Sequence, residues 1–224
     1  MKEIIKEVLD GMSGSQMNLE SDGARELISS TISTELKKRG HYRKFPTDNK
    51  AFRQAVSCVV DKDFVIDSVL AGAVINMDGV MPPALTSWVS PVQGVLAECA
   101  DMNFEERWNK SISILQDAGW QADDWGSHPG GAERAIAPTG LKGPNGEVMP
   151  SDMLLYAPSA GYDPIRSTFS LFVADWMQQI GIDVVARPTG FSIIVDIILD
   201  AETCDEWYFY MLGWGLTPYP DHIV

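Results

Sequence analysis

The sequence predicts an α/β fold in which a mainly parallel sheet is flanked by helices. The leading observation is the order of elements over residues 148–213, where strand-like runs alternate with helical patterns as β-α-β-α-β. Strands joined by helical crossovers lie parallel, and helices cover both faces of such a sheet. The second observation is a hydrophobic content of 45%, which is typical of a globular protein. The length of 224 residues allows one large domain or two small ones.

The N-terminal part of the chain has the weakest patterns. Residues 1–12 have the pattern of a charged amphipathic helix and lack the continuous apolar segment of a signal peptide. A polar link follows at 13–20, so residues 1–24 read as a helix and a link. Residues 25–34 fit a strand or a helix, and their β-branched content favours a strand. A basic loop follows at 37–46.

Two helices are predicted between residues 47 and 72. Thr47 or Asp48 caps the first, whose apolar residues recur at helical spacing and form one buried stripe. Asp61 caps a second, shorter helix that ends at Gly72. The stripe consists of Phe52, Ala55, Val56, Val59 and Val60, and the shorter helix carries Phe64, Val65 and Val69.

A loop with Gly79 and the pair Pro82-Pro83 comes next, and Trp88 follows in a stretch without a clear period. Another helix begins near Asn103 and ends at Gly119. Its apolar residues are Trp108, Ile112 and Leu115.

Residues 121–147 are rich in Gly, Pro, Asp and Asn, which predicts a long surface excursion with a hairpin at Pro144-Asn145-Gly146. The β-α-β-α-β unit follows, and Asp163-Pro164 begins its first helix with a cap and then a proline. Its strands are predicted at 148–156, Ile182–Ala186 and Trp207–Leu212. The helix faces are Phe169, Phe172, Val173, Trp176, Met177 and Ile180, ended by Gly181, and then Phe191, Ile194, Val195, Ile198 and Leu199.

The last strand leads into the motif EWYFYMLGWGLTPYPD at 206–221, in which Gly213 and Gly215 flank Trp214. Ligands of open α/β sheets bind in the crevice at the carboxyl ends of the strands. Trp214 is therefore placed to present a flat ring to a ligand. The alternative is a core aromatic beside a turn, because aromatic side chains fill cores as well as sites.

Charge and composition exclude some classes of function. The formal net charge of -14, from 31 acidic and 17 basic residues, argues against a nucleic-acid partner, which requires Lys and Arg. No apolar run approaches the roughly 20 residues of a transmembrane helix.

The sequence carries no recognisable catalytic or cofactor motif. His41, His128 and His222 are far apart, and GxSxG, P-loop and GxGxxG motifs are absent. We therefore expect no metal, no cofactor and no catalytic residue. The conspicuous candidates are aromatic and neutral, which favours binding: Trp88, Tyr156, Tyr162, Trp214 and Tyr219. The alternative is an α/β enzyme, a hydrolase or transferase, with its cleft at the strand ends near Trp214.

Cys58, Cys99 and Cys204 lack the short spacing of metal ligands. An odd number leaves at least one thiol free unless it pairs with another chain. Cys58 lies within an apolar helical pattern, which predicts a small core residue.

Five segments together carry a family resemblance. They are FPTDNKAFRQAVSCVVDKDFVIDSVLAG (45–72), Gly79-Val80-Met81-Pro82-Pro83, ILQDAGW (114–120), DPIRSTFSLFVADWMQQIGIDV (163–184) and YFYMLGWGLTPYPD (208–221). In this order they resemble the C-terminal lobe of the extracellular solute-binding proteins of ABC importers, family 5, which includes oligopeptide, dipeptide and nickel binders.

The resemblance implies a fold of the type II periplasmic-binding-protein kind. Residues 1–224 would form a single α/β lobe of a longer two-lobe protein, with 25–34 as a crossover strand between the lobes. Such proteins capture a peptide-like or other small polar solute by hinge closure and deliver it to the permease. The implied partners are the solute, the N-terminal lobe of the same parent protein and the transmembrane subunits of the permease. The implied location is periplasmic or extracellular, with a membrane anchor left open.

The resemblance also implies site residues. Trp214 matches the Trp that lines the family's pocket, and Gly215 lets the backbone approach a ligand. Peptide-binding relatives hold the ligand's amino group with an acidic residue three positions after this Trp, where this chain has Thr217. A buried ammonium needs a charged partner, so a neutral or sugar-like ligand fits as well as a peptide. Asp221 is either a substitute or a turn residue, and Tyr219 lies in the same loop.

The loop Ala157–Tyr162 follows a strand, precedes a helix and is expected to face the same cleft. Tyr156, Ser159 and Tyr162 are its hydrogen-bonding candidates. The loop contains no Arg or Lys, so no anchor for a ligand carboxylate is expected there.

Overall fold

The computed structural model of the protein describes residues 31, 44–77, 83, 95–131, 133–200, 203 and 207–213. The predicted N-terminal helix and link, Gly79, Trp88 and the motif from Trp214 onward lie outside these residues. Within 25–34 only Thr31 is described, and it is helical rather than extended. The β-branched preference on which that strand prediction depended is weak and sensitive to context. The crossover strand over the rest of that stretch stays a prediction.

The first described helix, α1 (Lys50–Val59), confirms the predicted stripe, but its cap is Asn49 rather than Thr47 or Asp48. The Asn49 carboxamide oxygen accepts a hydrogen bond from the Phe52 N–H at 3.1 Å. The hydroxyl of Thr47 instead donates to a backbone carbonyl three residues earlier, within the preceding turn. The cap therefore lies one to two residues later than the sequence pattern suggested.

The short helix α2 (Lys62–Phe64) is capped by Asp61 as predicted and continues as a π-helical turn, Val65–Val69. Gly72 follows with a φ of 75°, in the left-handed region that favours glycine. Val65 is buried, whereas the Phe64 ring remains partly exposed.

Cys58 is buried, as predicted, but it is not a free thiol. It forms a disulfide with Cys99, which ends the helix α3 (Val95–Cys99). The two residues are 41 positions apart, and connectivity over such a distance cannot be deduced from spacing. The bridge ties α1 to the segment that leads into the next helix.

That helix, α4 (Phe104–Asp117), begins with a capping box. The Asn103 side chain accepts from the Glu106 N–H at 3.0 Å, and the Glu106 carboxylate accepts from the Asn103 N–H at 2.9 Å. Trp108 is buried and donates its indole N–H to the Gln179 carbonyl at 2.6 Å. The predicted helix and its start at Asn103 are confirmed.

The segment 121–148 is an irregular antiparallel excursion, as its composition predicted. Lys142 and Val148 form an antiparallel bridge across the turn at 144–146, which confirms the hairpin there. Further bridges pair Gln121 with Lys142, Asp124 with Thr139, and Ser127 with Ile136.

The β-α-β-α-β unit is confirmed, with shifted strand bounds. Its elements are β1 (Met153–Pro158), α5 (Pro164–Gln179), β2 (Val184–Thr189), α6 (Phe191–Leu199) and β3 (Phe209–Tyr210). Over the described residues the strands are parallel in the order β2-β1-β3. The predicted first strand began at residue 148, but Pro150 cannot donate to a ladder and Asp152 has a φ of 51°, so β1 begins after both.

The crossovers through α5 and α6 run in opposite directions along the sheet, because β2 and β3 flank β1 on different sides. Right-handed crossovers therefore place α5 and α6 on opposite faces. The main core lies under α1, α4 and α5 and includes Phe52, Leu115, Met153, Met177 and Ile180. On α6 Ile194 is buried and Val195 and Ile198 are half-buried, whereas Phe191 and Leu199 are exposed, so the predicted apolar face of that helix is only partly covered.

Candidate functional site

The carboxyl ends of the three described parallel strands meet at one side of the sheet. β1 ends at Pro158, β2 at Thr189 and β3 at Tyr210, and both α5 and α6 begin on that side. We call residues 158–166, which include the first turn of α5, together with 189–191 and 211–213 the strand-end edge. This is the position at which α/β sheets bind ligands.

Backbone hydrogen bonds fix the first loop of the strand-end edge. The Ser159 N–H donates to the Thr189 carbonyl at 2.8 Å, which joins the loop to the end of β2. The Ser159 carbonyl in turn accepts from the N–H groups of Tyr162 and Asp163, at 3.0 and 2.9 Å. The Asp163 carboxylate caps α5 by accepting from the Arg166 N–H at 2.9 Å. The loop is therefore held rigidly, which is what a preformed binding surface requires.

An exposed aromatic pair crosses the two loops of the strand-end edge. The rings of Tyr162 and Phe191 are stacked, with centroids 5.3 Å apart and planes at 23°. Tyr162 is 64% exposed and Phe191 38% exposed. A flat, rigid and open aromatic surface of this kind can stack on an apolar or planar group of a ligand.

Arg166 is the side chain that sequence reasoning missed. It lies in the first turn of α5. Its guanidinium lies so close to Gly213 that a β-carbon added to Gly213 would overlap it. Its Nη1 forms an ion pair with Asp163, and 40% of the side chain remains exposed. Among the described residues Nη2 and Nε have no acceptor, and a guanidinium carries five N–H donors in total. A cation is therefore present beside the end of β3.

Two signals in the sequence could have identified Arg166. Side chains of a helix tilt toward its N-terminus, so a residue three positions after the cap reaches back to the preceding loop. Gly213 provides room beside the end of the strand that only a residue without a side chain can provide. The loop 157–162 itself carries no cation, and Arg166 lies just beyond it, in the first turn of α5.

The structure separates the predicted site residues into three groups. Tyr162 and Ser159 lie at the strand-end edge, exposed and half-buried respectively. Tyr156 is buried within β1, with Arg187 and Tyr210 in register on either side, so its ring belongs to the sheet face. The others lie outside the described residues: Trp214, Gly215, Thr217, Tyr219 and Asp221.

The described residues contain no group of three or more His, Cys, Asp or Glu side chains that could hold a metal ion. At the strand-end edge the charged pair is Asp163 and Arg166, whose ion pair orients the guanidinium. The arrangement can donate hydrogen bonds and stack on a ring.

Comparison with known proteins identifies the family. A profile of the bacterial extracellular solute-binding proteins, family 5 (Middle), matches residues 12–223 of the chain. The chain belongs to this family. No curated protein matches it.

The comparison with solved structures finds family 5 relatives. The oligopeptide-binding protein AppA from Bacillus subtilis, in complex with a nonapeptide, is 19% identical with a TM-score of 0.53, over 78% of this chain and 30% of AppA. NikZ from Campylobacter jejuni, in complex with Ni(L-His), is 18% identical with a TM-score of 0.43, over 66% of this chain and 25% of NikZ. An oligopeptide-binding protein from Thermotoga maritima, bound to mannohexaose, is 14% identical with a TM-score of 0.39, over 68% of this chain and 25% of the Thermotoga protein.

The likeness to AppA shows the α/β fold of a type II binding protein. The part of AppA that is matched is 30% of its length, which fits a single lobe. In the described part of the chain no helix is long and apolar enough to cross a membrane.

Proposed function

We propose that this chain is the ligand-binding C-terminal lobe of an ABC-importer solute-binding protein. It captures a peptide-like or other small polar solute outside the membrane, closes on it together with an N-terminal lobe, and delivers it to the transmembrane subunits of the permease. The observation that carries this proposal is the strand-end edge. There a family 5 chain presents the Tyr162–Phe191 stack and the guanidinium of Arg166 to solvent.

The chemistry of the strand-end edge supports binding better than catalysis. An enzyme of the alternative class would place a nucleophile in hydrogen-bond contact with its base. The side-chain pair described at this edge is instead the Asp163–Arg166 ion pair, and the other described features are the aromatic rings. Arg166 supplies donors to a carboxylate or a hydroxyl of the solute. We propose that Trp214 adds a second ring at this edge and that Thr217 leaves the ligand's amino group without a carboxylate partner.

The disulfide between Cys58 and Cys99 supports an extracellular location. Disulfides form and persist in oxidising compartments and are rare in the cytosol. Membership of an extracellular binding-protein family points to the same compartment.

The proposal is tested by calorimetry on the full-length parent protein. The probes are a nonapeptide, the tripeptide Ala-Ala-Ala and mannohexaose. We expect at least one probe to bind, and we expect Arg166→Gln and Tyr162→Ala to weaken that binding about tenfold or more. Lys110→Gln is the matched control, because Lys110 is also a partly exposed cation in an ion pair, with Glu98 at 2.7 Å, and lies on α4 away from the edge. Binding that neither Arg166→Gln nor Tyr162→Ala weakens would refute a site at the strand-end edge.

A further inference from the structure

A concave surface lies on the part of α5 remote from the strand-end edge. It encloses about 390 Å³, within the range of roughly 300–1,000 Å³ that is typical of small-molecule sites. Trp176 on its wall is 13 residues from Asp163, the cap of α5, which is about 20 Å along a helix. We call this surface the aromatic groove, and its lining includes Phe64, Phe104, Glu133, Phe172, Asp175 and Trp176.

The walls of the aromatic groove are a stacked pair of rings and a third ring nearly at right angles to both. Phe172 and Trp176 are stacked, with centroids 5.8 Å apart and planes at 25°. Phe64 packs edge-on to both, at 5.3 Å and 73° to Phe172 and at 6.1 Å and 85° to Trp176. The ring centroids of Phe104 and Trp176 are 6.4 Å apart. Phe64 is 40% exposed, so ring faces meet solvent at this corner.

The floor of the aromatic groove is fixed by Gln179, which is 6% exposed. Its Oε1 accepts from the Ala135 N–H at 3.0 Å, and its Nε2 donates to Asp175 at 2.8 Å. Asp175 also forms an ion pair with Arg134, which fastens the loop at 133–135 to α5. The surface is therefore preformed, which lowers the entropic cost of binding a ligand.

The charge around the aromatic groove is negative. Asp61, Glu133 and Asp175 contribute carboxylates to the lining against the single guanidinium of Arg134. Asp175 is paired with Arg134, and Asp61 lies 4.0 Å from Arg107. In the part of the chain that the structure describes, Glu133 has no ion-pair partner, so its charge remains available at the rim.

Rings and carboxylates together recognise cations. The face of an aromatic ring carries negative potential and attracts ammonium groups, and a nearby carboxylate adds to the attraction. We propose that the aromatic groove binds a small organic cation, a protonated amine with an apolar or aromatic body. The body packs on Phe64 and Phe172, and the ammonium group is directed to Glu133. This site is separate from the strand-end edge and does not depend on the function proposed for it.

The test uses a pair of probes that share one apolar body and differ in their polar group, which is a charged ammonium in one and a neutral hydroxyl in the other. 2-Phenylethylamine is protonated at pH 7, as a primary amine with a pKa near 10, whereas 2-phenylethanol has the same body and no charge. Calorimetry on the full-length protein is expected to show the amine binding at least tenfold more tightly than the alcohol. Glu133→Gln is expected to reduce the affinity for the amine about fivefold and to leave the alcohol unchanged. Phe64→Leu keeps an apolar side chain without a ring and is expected to weaken both probes.

Two controls separate this site from general attraction to an acidic protein. Asp117→Asn removes an exposed carboxylate at the far end of α4, about 20 Å from Phe104 along the helix, and is expected to leave the amine's affinity unchanged. Arg166→Gln tests the strand-end edge and is expected to have no effect on the amine. Circular dichroism confirms that each variant is folded. Equal affinity of the two probes, absence of amine binding, or an equal loss in Asp117→Asn and Glu133→Gln would overturn the proposal.

Discussion

Breaking the disulfide between Cys58 and Cys99 is expected to destabilise the protein substantially. The bridge joins residues 41 positions apart, and in the chain-entropy model a closed loop of this length lowers the entropy of the unfolded chain. The corresponding contribution to the free energy of unfolding is about 4 kcal/mol at 25 °C, within the roughly 2–5 kcal/mol measured when native disulfides are removed. That is a large fraction of the roughly 5–15 kcal/mol by which native domains are stable.

The measurement is urea unfolding followed by circular dichroism, with and without a reducing agent. Reduction is expected to lower the free energy of unfolding of the natural protein by about 4 kcal/mol. The Cys58→Ala/Cys99→Ala variant is the control, because it has no bridge to reduce and its stability should be the same in both conditions. This comparison removes the separate effect of replacing Cys58, which is fully buried. A change below about 1 kcal/mol in the natural protein would show that loop closure between α1 and α3 does not constrain its unfolded state.

Two further predictions concern local hydrogen bonds. Asn103→Ala removes the capping box of α4 and is expected to cost about 1 kcal/mol of unfolding free energy in the same assay. Ser57→Ala, an exposed helical control, should cost less than about 0.5 kcal/mol. The Asn145 side-chain donor, with further help from backbone N–H groups, lowers the pKa of Glu147 from 4.5. Because the pKa of Glu147 is lowered in the folded protein, its ionised carboxylate stabilises the fold at pH values above the unfolded pKa. That contribution is lost as the pH falls through the folded pKa. NMR titration should show the pKa of Glu147 rising toward 4.5 in Asn145→Ala; an unchanged pKa would exclude Asn145 as its cause.

Elements with both a cap and a sustained period could be predicted from the sequence. α5 is the clearest case, because Asp163-Pro164 sets its start, its apolar stripe is continuous, and Gly181 follows with a φ of 82°. The bounds of the strands could be predicted less exactly, because a short apolar run does not show at which residue the hydrogen bonds to the neighbouring strand begin. β3 covers two described residues of the six predicted, and β1 begins five residues late.

Contacts between distant parts of the chain could not be predicted. The disulfide from Cys58 and the Tyr162–Phe191 stack depend on how crossovers bring separate segments together. Local propensity contains no information on these pairings. Ser159 and Tyr162 were identified from a local rule, namely that a loop after a parallel strand faces the crevice.

The contacts of Gln179 have a consequence for the order in which the chain becomes structured as it is synthesised. The Ala135 N–H donates to the Gln179 side chain, which is 44 residues later in the chain. The Trp108 indole N–H donates to the Gln179 carbonyl, which is 71 residues later. Neither N–H donor can form its hydrogen bond until the end of α5 has been synthesised. We therefore expect nascent chains that stop before residue 179 to leave the 133–135 loop open to proteases, and slightly longer ones to protect it.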